Sequence, residues 1–264
     1  MRFYPGVSYR HIAVISDAEY AKTKCTPAHD ITGKPYEPHL PTGPGADLLK
    51  QLMRDSVGLL REHPVNKQRI AKGKSPATML WFWGQGTAAK FPPFKTAYGL
   101  RGGCISAVDI VRGLGRLVGF DIIPVPGITG YFDTNYRGKA EYALKALDDH
   151  DVVLVHIEAT DEAGHMGDVQ KKIQAIEDTA RLVVGTLLEG LKQRGEPFAI
   201  MVVPDHPTSL ALKTHIAEPV PFAIYATGGP KDGIGAYSET AASRSSRRFD
   251  EGFRLMAFLL QQGR

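Results

Sequence analysis

Asp161 and His165 stand four residues apart in HIEATDEAGHMGD, directly behind the apolar run DVVLV. Asp205 and His206 are adjacent at the end of a second apolar run, FAIMVVPDH, and His215 lies in KTHIAEPVP, which leads into a third. Carboxylate with imidazole, and no cysteine beside them, is a ligand set for Zn²⁺ or Mn²⁺. Five such groups exceed the four positions of one tetrahedral ion, so the set predicts two adjacent ions in one cleft. A pair of divalent ions stabilises the attacking and leaving oxygens of a phosphoryl transfer. Each residue alone has a plainer reading: Asp205 or His206 could cap a helix, and His215 could be a surface residue. Delivery of Asp and His by three separate segments to one place is what favours the metal. His156 and Glu158 fall within the first strand and read as supporting or core residues, not ligands.

A sheet has to build that common place. From about residue 98, strand and helix patterns alternate. GGCISAVDIVRGLGRLVG reads as a turn into a helix, DIIPVPG as a short strand and GKAEYALKALDDH as a helix. DVVLVHIE reads as a strand buried on both faces, from its near-continuous apolar run. QKKIQAIEDTARLVVGTLLEGLKQRG reads as one helix with Ile173, Ile176, Ala180, Val183, Leu187 and Leu191 on one face, stopped at Gly195. FAIMVV and VPFAIYA are further strands, and DEGFRLMAFLLQQ closes as an amphipathic helix. This alternation predicts an α/β fold, a mainly parallel sheet flanked by helices. Ligands of such sheets gather beyond the carboxyl ends of the strands. The segment with Asp161 and His165 reads as a loop that Gly164 lets turn tightly.

The first part of the chain has a different character. CTPAHDITGKPYEPHLPTGPG is a loop by composition and holds His29, Asp30, Lys34 and His39. ADLLKQLMRDSVGLLREH follows as a helix with Leu48, Leu49, Leu52, Met53, Val57 and Leu60 at helical spacing, and ATMLWFWG as a strand candidate. A boundary near GQGTAAKFPPF divides the chain into 1–90 and 91–264.

Bulk properties narrow the function. Hydrophobic content of 43% and charged content of 23% are ordinary for a globular protein. No apolar run reaches the length of a membrane span and the first residues hold no signal core, so a cytoplasmic location is expected. Cys25 and Cys104 form no CxxC and no disulfide framework, and read as reduced structural residues. The net charge of +4 suits a small anionic substrate. The basic stretches SRSSRR and VNKQRIAKGK read as solvated surface, so nucleic acid is not an expected partner. Ser106, just before a predicted helix, could meet an anion or simply cap the helix; nothing marks Cys104 as activated.

DEAGH, PDHP and KTHIAEPVPFAIY resemble the metal motifs of the cofactor-independent phosphoglycerate mutases, archaeal type, in the alkaline phosphatase superfamily. FYPGVSYRH, HDITGKP, WFWGQG and LRGGCISAVDIVRGLG resemble the same branch in the same order, so the likeness covers nearly the whole chain. It implies a partial alkaline-phosphatase-like core with a smaller α/β insertion domain for substrate at 1–90. It implies an enzyme interconverting 3-phosphoglycerate and 2-phosphoglycerate through a phosphoserine, with two divalent ions, Mn²⁺ or Zn²⁺. By motif, Asp161, His165 and His215 would hold one ion, and Asp205 and His206 the other. Arg10, His11, His29, Asp30 and Lys34 fall in the family-like motifs and have the chemistry for phosphate and carboxylate recognition and proton exchange; Arg101 and Lys139 would flank the core cleft. The family's nucleophilic serine and one further metal-ligand aspartate lie in upstream segments without a counterpart here, so Met1 reads as an internal start. The alternatives to a mutase are an inactive remnant or metal- and phosphate-binding module, and a related metal-dependent phosphatase or phosphomutase.

Overall fold

A computed structural model of the chain describes residues 1–6 and 9–262. Val7 and Ser8 of the FYPGVSYRH motif therefore lie outside the described residues. The chain divides into two compact units, Met1–Lys90 and Phe91–Arg264.

The first unit opens with a hairpin. Strands β1 (Arg2–Pro5) and β2 (His11–Val14) pair antiparallel, with Phe3 opposite Ala13. Short 3-10 turns follow at Ala18–Lys22, Ala28–Ile31 and Glu37–His39, then helices α1 (Ala46–Glu62) and α2 (Pro64–Ala71). Helix α1 buries Ala46, Leu49 and Met53, while Leu48 of the expected apolar face stays exposed. His63 ends α1 and starts α2, its Nδ1 accepting from the Val65 amide. ATMLWFWG is not a strand. Its backbone finds side chains instead of a neighbouring strand. Asn66 of α2 accepts from the Ala77 amide and donates to the Ala77 carbonyl, and Ser56 of α1 accepts from the Leu80 amide.

In the second unit, helix α3 (Phe94–Tyr98) leads into strand β3 (Gly102–Ile105), helix α4 (Asp109–Leu117), strand β4 (Asp121–Ile122), helix α5 (Tyr136–Ala146) and strand β5 (Val152–Val155). The strands form a parallel three-stranded sheet in the order β4-β3-β5. The expected parallel sheet flanked by helices is therefore present. GGCI, expected as a turn, is instead the central strand and is fully buried. A Cβ on Gly102 would lie 2.2 Å from the Phe120 ring, and one on Gly103 would lie 2.6 Å from Ile123. Both glycines make room for side chains that flank the adjacent strand β4, a use of Gly-Gly that composition alone does not distinguish from a turn. Strand β5 is only half-buried and exposes Leu154, unlike the two-sided burial expected of it. Phe94, Cys104 and Phe120 form one core, joined by Met256 and Leu260; Ile105, Val125 and Ala143 form another.

After helix α6 (Ala159–Met166), helices α7 (Val169–Asp178) and α8 (Thr186–Arg194) are joined by a π-helical stretch, Thr179–Gly185. The wider i→i+5 turns change the buried face. Ala175, Val183 and Leu187 face the core, whereas Ile173 and Ile176 of the expected stripe are exposed. Gly195 stops α8 in the left-handed region, φ 72°. Strand β6 (Ala199–Val202) pairs antiparallel with β9 (Ala223–Ala226), and the hairpin β7 (Thr208–Ser209) and β8 (Thr214–His215) lies between them in the chain. Helices α9 (Glu239–Ala242) and α10 (Arg254–Gln262) complete the unit. Among the described residues, no helix is long and apolar enough to cross a membrane.

The packing at β3 gives a paired expectation. Gly102→Ala drives a methyl into the Phe120 ring and lowers stability by roughly 1–3 kcal/mol. Gly113→Ala, inside α4 with nothing within 4 Å of its Cβ, raises stability by about 0.5–1 kcal/mol. Urea midpoints of the two variants check both signs; a tolerated Gly102→Ala would mean that β3 is not a tightly packed central strand.

Candidate metal centre

Asp161 and His165 sit on a helix, α6, rather than in the expected loop. Its Ala159 and Ala163 are fully buried, and Gly167 ends it at φ 68°, returning its amide to the Ala163 and Gly164 carbonyls. Residues four apart on a helix share a face, so the spacing alone aligns the carboxylate with the imidazole. Gly164 has a different task from turning a loop. A Cβ there would lie 2.7–2.8 Å from Thr208, so the missing side chain lets the β7–β8 hairpin lie directly on α6.

That contact carries His215 to the helix. His215 Nε2 is 3.2 Å from Asp161 Oδ1, His165 Nε2 is 3.3 Å from Asp161 Oδ2, and the two Nε2 atoms are 3.0 Å apart. Donors around a tetrahedral ion with bonds of about 2.0–2.1 Å stand about 3.3 Å apart. The three groups thus fit one ion, and they form a candidate ligand cluster. Two imidazole lone pairs at 3.0 Å repel one another unless a cation or a proton lies between them. His165 Nδ1 is 2.9 Å from the Lys213 carbonyl. A carbonyl only accepts, so Nδ1 carries the proton and Nε2 presents its lone pair to the cluster. Lys213 reaches this position at the hairpin turn with φ 56°, a left-handed conformation unusual for a residue with a side chain. Asp161 and His165 are about one-fifth exposed and His215 is 41% exposed, so the cluster opens to solvent.

Asp205 and His206 follow β6 and adjoin this cluster without joining it. The His206 ring lies over that of His215, centroids 3.8 Å apart. Its Nε2 is 3.3 Å from Asp205 Oδ2, and Asp205 is largely exposed. Thr208, which the sequence did not single out, touches both groups: its hydroxyl donates to Asp161 Oδ1 and lies 3.4 Å from His206 Nδ1. Lys172 was also missed, and its ammonium donates to the Thr208 carbonyl at 2.6 Å. Burial lowers the Lys172 pKa. A Thr in a short strand and a Lys on an amphipathic helix carry no sequence signal of such roles.

Beside the cluster is a partly buried polar group at the carboxyl ends of β3 and β5. His156 Nε2 pairs with Glu158 at 3.3 Å, and its Nδ1 lies 3.2 Å from Ser106 Oγ. Lys139, only 1% exposed, donates to the His156 carbonyl at 2.9 Å. His156 and Glu158 pair with one another beside the three candidate ligands. Burial, and then the Lys139 ammonium, hold the His156 pKa below the usual imidazole range. Ser106 is buried and accepts from the Val108 amide, two residues on, before α4 begins. Burial raises the Cys104 thiol, which is fully enclosed. Arg101 does not flank the cluster. It stands at the amino end of β3, ion-paired to Asp121 at 2.9 Å, because the strand that follows it runs toward the opposite edge.

The five first-unit candidates lie in or beside two elements. Arg10 lies over the Tyr9 ring and His11 begins β2, its Nδ1 accepting from the Gly6 amide. His29 and Asp30 share the Ala28–Ile31 turn, 3.9 Å apart, with His29 edge-on to Trp83. Lys34 follows and donates to the Asp30 carbonyl.

Comparison with known proteins places this geometry in context. The family described as the Metalloenzyme superfamily matches residues 29–249. A 2,3-bisphosphoglycerate-independent phosphoglycerate mutase of Methanosarcina barkeri is 48% identical over 93% of this chain and 62% of its own length. The protein of the same name from Methanothrix thermoacetophila is 48% identical over 98% of this chain and 66% of its own. The chain thus spans a little under two thirds of the length of these curated relatives. The solved cofactor-independent phosphoglycerate mutase of Thermoplasma acidophilum superposes with a TM-score of 0.53 at 28% identity, covering 88% of this chain and 56% of that one.

Lys139 gives this region a pH signature. Burial lowers its pKa from 10.5 to about 8, against a smaller upward pull from Glu158. Between those two values the unfolded chain holds a proton that the folded chain has released, so stability rises with pH there; below about 8 both states are protonated and the burial cost is fully present. Unfolding free energies of the wild type and Lys139→Met, measured from pH 7 to 10.5, should therefore show the wild type gaining stability relative to the variant above about pH 8. A constant difference across that window would show an ordinary, unshifted lysine.

Proposed function

The chain belongs to the Metalloenzyme superfamily, and on that premise we propose that it forms the metal-binding part of a phosphoglycerate mutase. The reaction is the interconversion of 3-phosphoglycerate and 2-phosphoglycerate by a two-metal phosphoserine route, in the cytoplasm. The observation that carries the reading is the convergence of Asp161, His165 and His215 on one point, in a chain whose relatives bear that name. In this reading those three residues hold one divalent ion, and Asp205 and His206 contribute to a second, both Mn²⁺ or Zn²⁺. Imidazole and carboxylate suit either metal. Such ions supply charge neutralisation for phosphoryl oxygens when bound.

The chain's own residues divide the remaining work. Residues 91–264 hold the metal ligands, and 1–90 serve as the substrate-binding domain. Arg10 and Lys34 offer the cations that a phosphate and a carboxylate require. His11 and His29 can carry a proton near neutral pH, as an exchange between two hydroxyls demands, and Asp30 places a carboxylate beside His29. Ser106 is not assigned the nucleophile's role, because it is buried and engaged with His156.

Conversion of 3-phosphoglycerate by the protein, with Mn²⁺ and with a chelator, tests the reading. Turnover should require the metal. Asp161→Ala and His206→Ala should each lower it by more than about 100-fold while leaving the far-ultraviolet circular dichroism unchanged. A metal-loaded protein that leaves 3-phosphoglycerate untouched but hydrolyses other phosphate esters would overturn the substrate assignment. Near-normal turnover in either variant would remove that residue from the ligand set.

A further inference from the structure

Thr208 has more defined partners than any role yet given to it. It is 6% exposed and begins β7, directly opposite His215 in the hairpin register. Its backbone is fixed from two sides, by Gly164 beneath it and by the Lys172 ammonium on its carbonyl. The hydroxyl has one proton and two lone pairs. A carboxylate only accepts, so the proton goes to Asp161 Oδ1. The oxygen then faces His206 Nδ1, 3.4 Å away, as an acceptor. Only a protonated Nδ1 can use it.

We infer that Thr208 is a positioning residue coupling the two halves of the centre, its single hydroxyl orienting Asp161 and fixing His206 as the Nδ1–H tautomer. His206 then presents its Nε2 lone pair toward Asp205 Oδ2, 3.3 Å away. That is the separation of two ligands sharing an ion rather than of two acceptors left facing one another. His165 is set the same way by the Lys213 carbonyl, so two of the three imidazoles have their ligating nitrogen chosen by a partner on Nδ1. Such outer partners fix ring orientation and raise ligand basicity. Thr208 differs from Lys213 in acting on a carboxylate and an imidazole through one atom. A change at one ligand is thereby passed to the other.

The inference rests on the metal reading of the centre, so two independent measurements test it. Zn²⁺ alone is titrated into the wild type, Thr208→Val and Thr208→Ser by calorimetry. Valine keeps the shape and removes the hydroxyl; serine keeps the hydroxyl. Affinity should fall roughly 10- to 100-fold in Thr208→Val and stay within about threefold of wild type in Thr208→Ser. Wild-type affinity in Thr208→Val would overturn the inference. The second measurement, the His206 tautomer from ¹⁵N NMR of the metal-free protein, requires neither Zn²⁺ nor a folded valine variant. The wild type and Thr208→Ser should show Nδ1–H; an Nε2–H tautomer in the wild type would overturn the inference by itself. A wild type that binds no Zn²⁺ yet shows Nδ1–H would sink the metal reading and leave the hydrogen-bond role standing.

Discussion

A helix and a hairpin can share one set of ligands only if their backbones come close, and in this protein Gly164 sets that distance. Any side chain there would lie inside van der Waals contact with Thr208. The consequences follow in order. With the hairpin seated on α6, the Thr208 hydroxyl reaches Asp161, the Lys213 carbonyl reaches His165, and His215 meets both ligands of the helix. None of these contacts is local in sequence; Asp161 and Thr208 are 47 residues apart. A close approach of small residue to backbone is therefore the constraint that converts three dispersed polar residues into a cluster.

Two lysines hold the joints on either side. Lys139 bonds the His156 carbonyl, just where the chain leaves β5 for α6, and Lys172 bonds the Thr208 carbonyl, where it enters the hairpin. Burial disfavours both ammonium groups, and both have lowered pKa values. Each therefore costs stability that an apolar residue would not, while fixing a carbonyl whose displacement would move a ligand. Local strain points the same way. Lys213 adopts φ 56° to present its carbonyl to His165, a conformation retained where the surrounding structure determines it.

Much of this was visible in the residue order. The alternation of apolar strands and amphipathic helices gave the α/β class, and the placement of Asp and His after the strands gathered Asp161, His165, Asp205, His206 and His215 at one edge; the grouping of Asp161 with His165 and His215 came from the motif resemblance. What escaped was decided by tertiary contact. Gly102 and Gly103 read as a turn because glycine in isolation favours one, yet here they admit Phe120 and Ile123 to a buried strand. ATMLWFWG has strand composition, but Asn66 and Ser56 supply the bonds that a neighbouring strand would have supplied. DEAGH read as a loop because Gly and Asp dominate it, although its i,i+4 spacing is also that of one helix face. The helical stripe drifted because a π stretch cannot be read from a 3.6-residue period. Thr208 and Lys172 had no signal at all, since their roles arise only once the hairpin is docked.

The two ends of the parallel sheet show how stability and chemistry are kept apart. At the amino ends of the strands, Arg101 ties Asp121 and the chain before β5 together, and His150 reinforces the same carboxylate. The Arg101 and His150 hydrogen bonds hold Asp121 well below the usual carboxylate range, the behaviour of an acid kept ionised by its partners. At the carboxyl ends the arrangement is reversed. Two imidazoles and a carboxylate face one another there, with mutual contacts at 3.0–3.3 Å. The first set pairs opposite charges with one another, whereas the second gathers three groups that can each offer a lone pair to a cation. A proton would satisfy one pair of nitrogens, whereas a divalent ion would satisfy the carboxylate and both imidazoles together. The difference between the two edges, more than any single residue, is what makes the carboxyl edge the candidate metal centre.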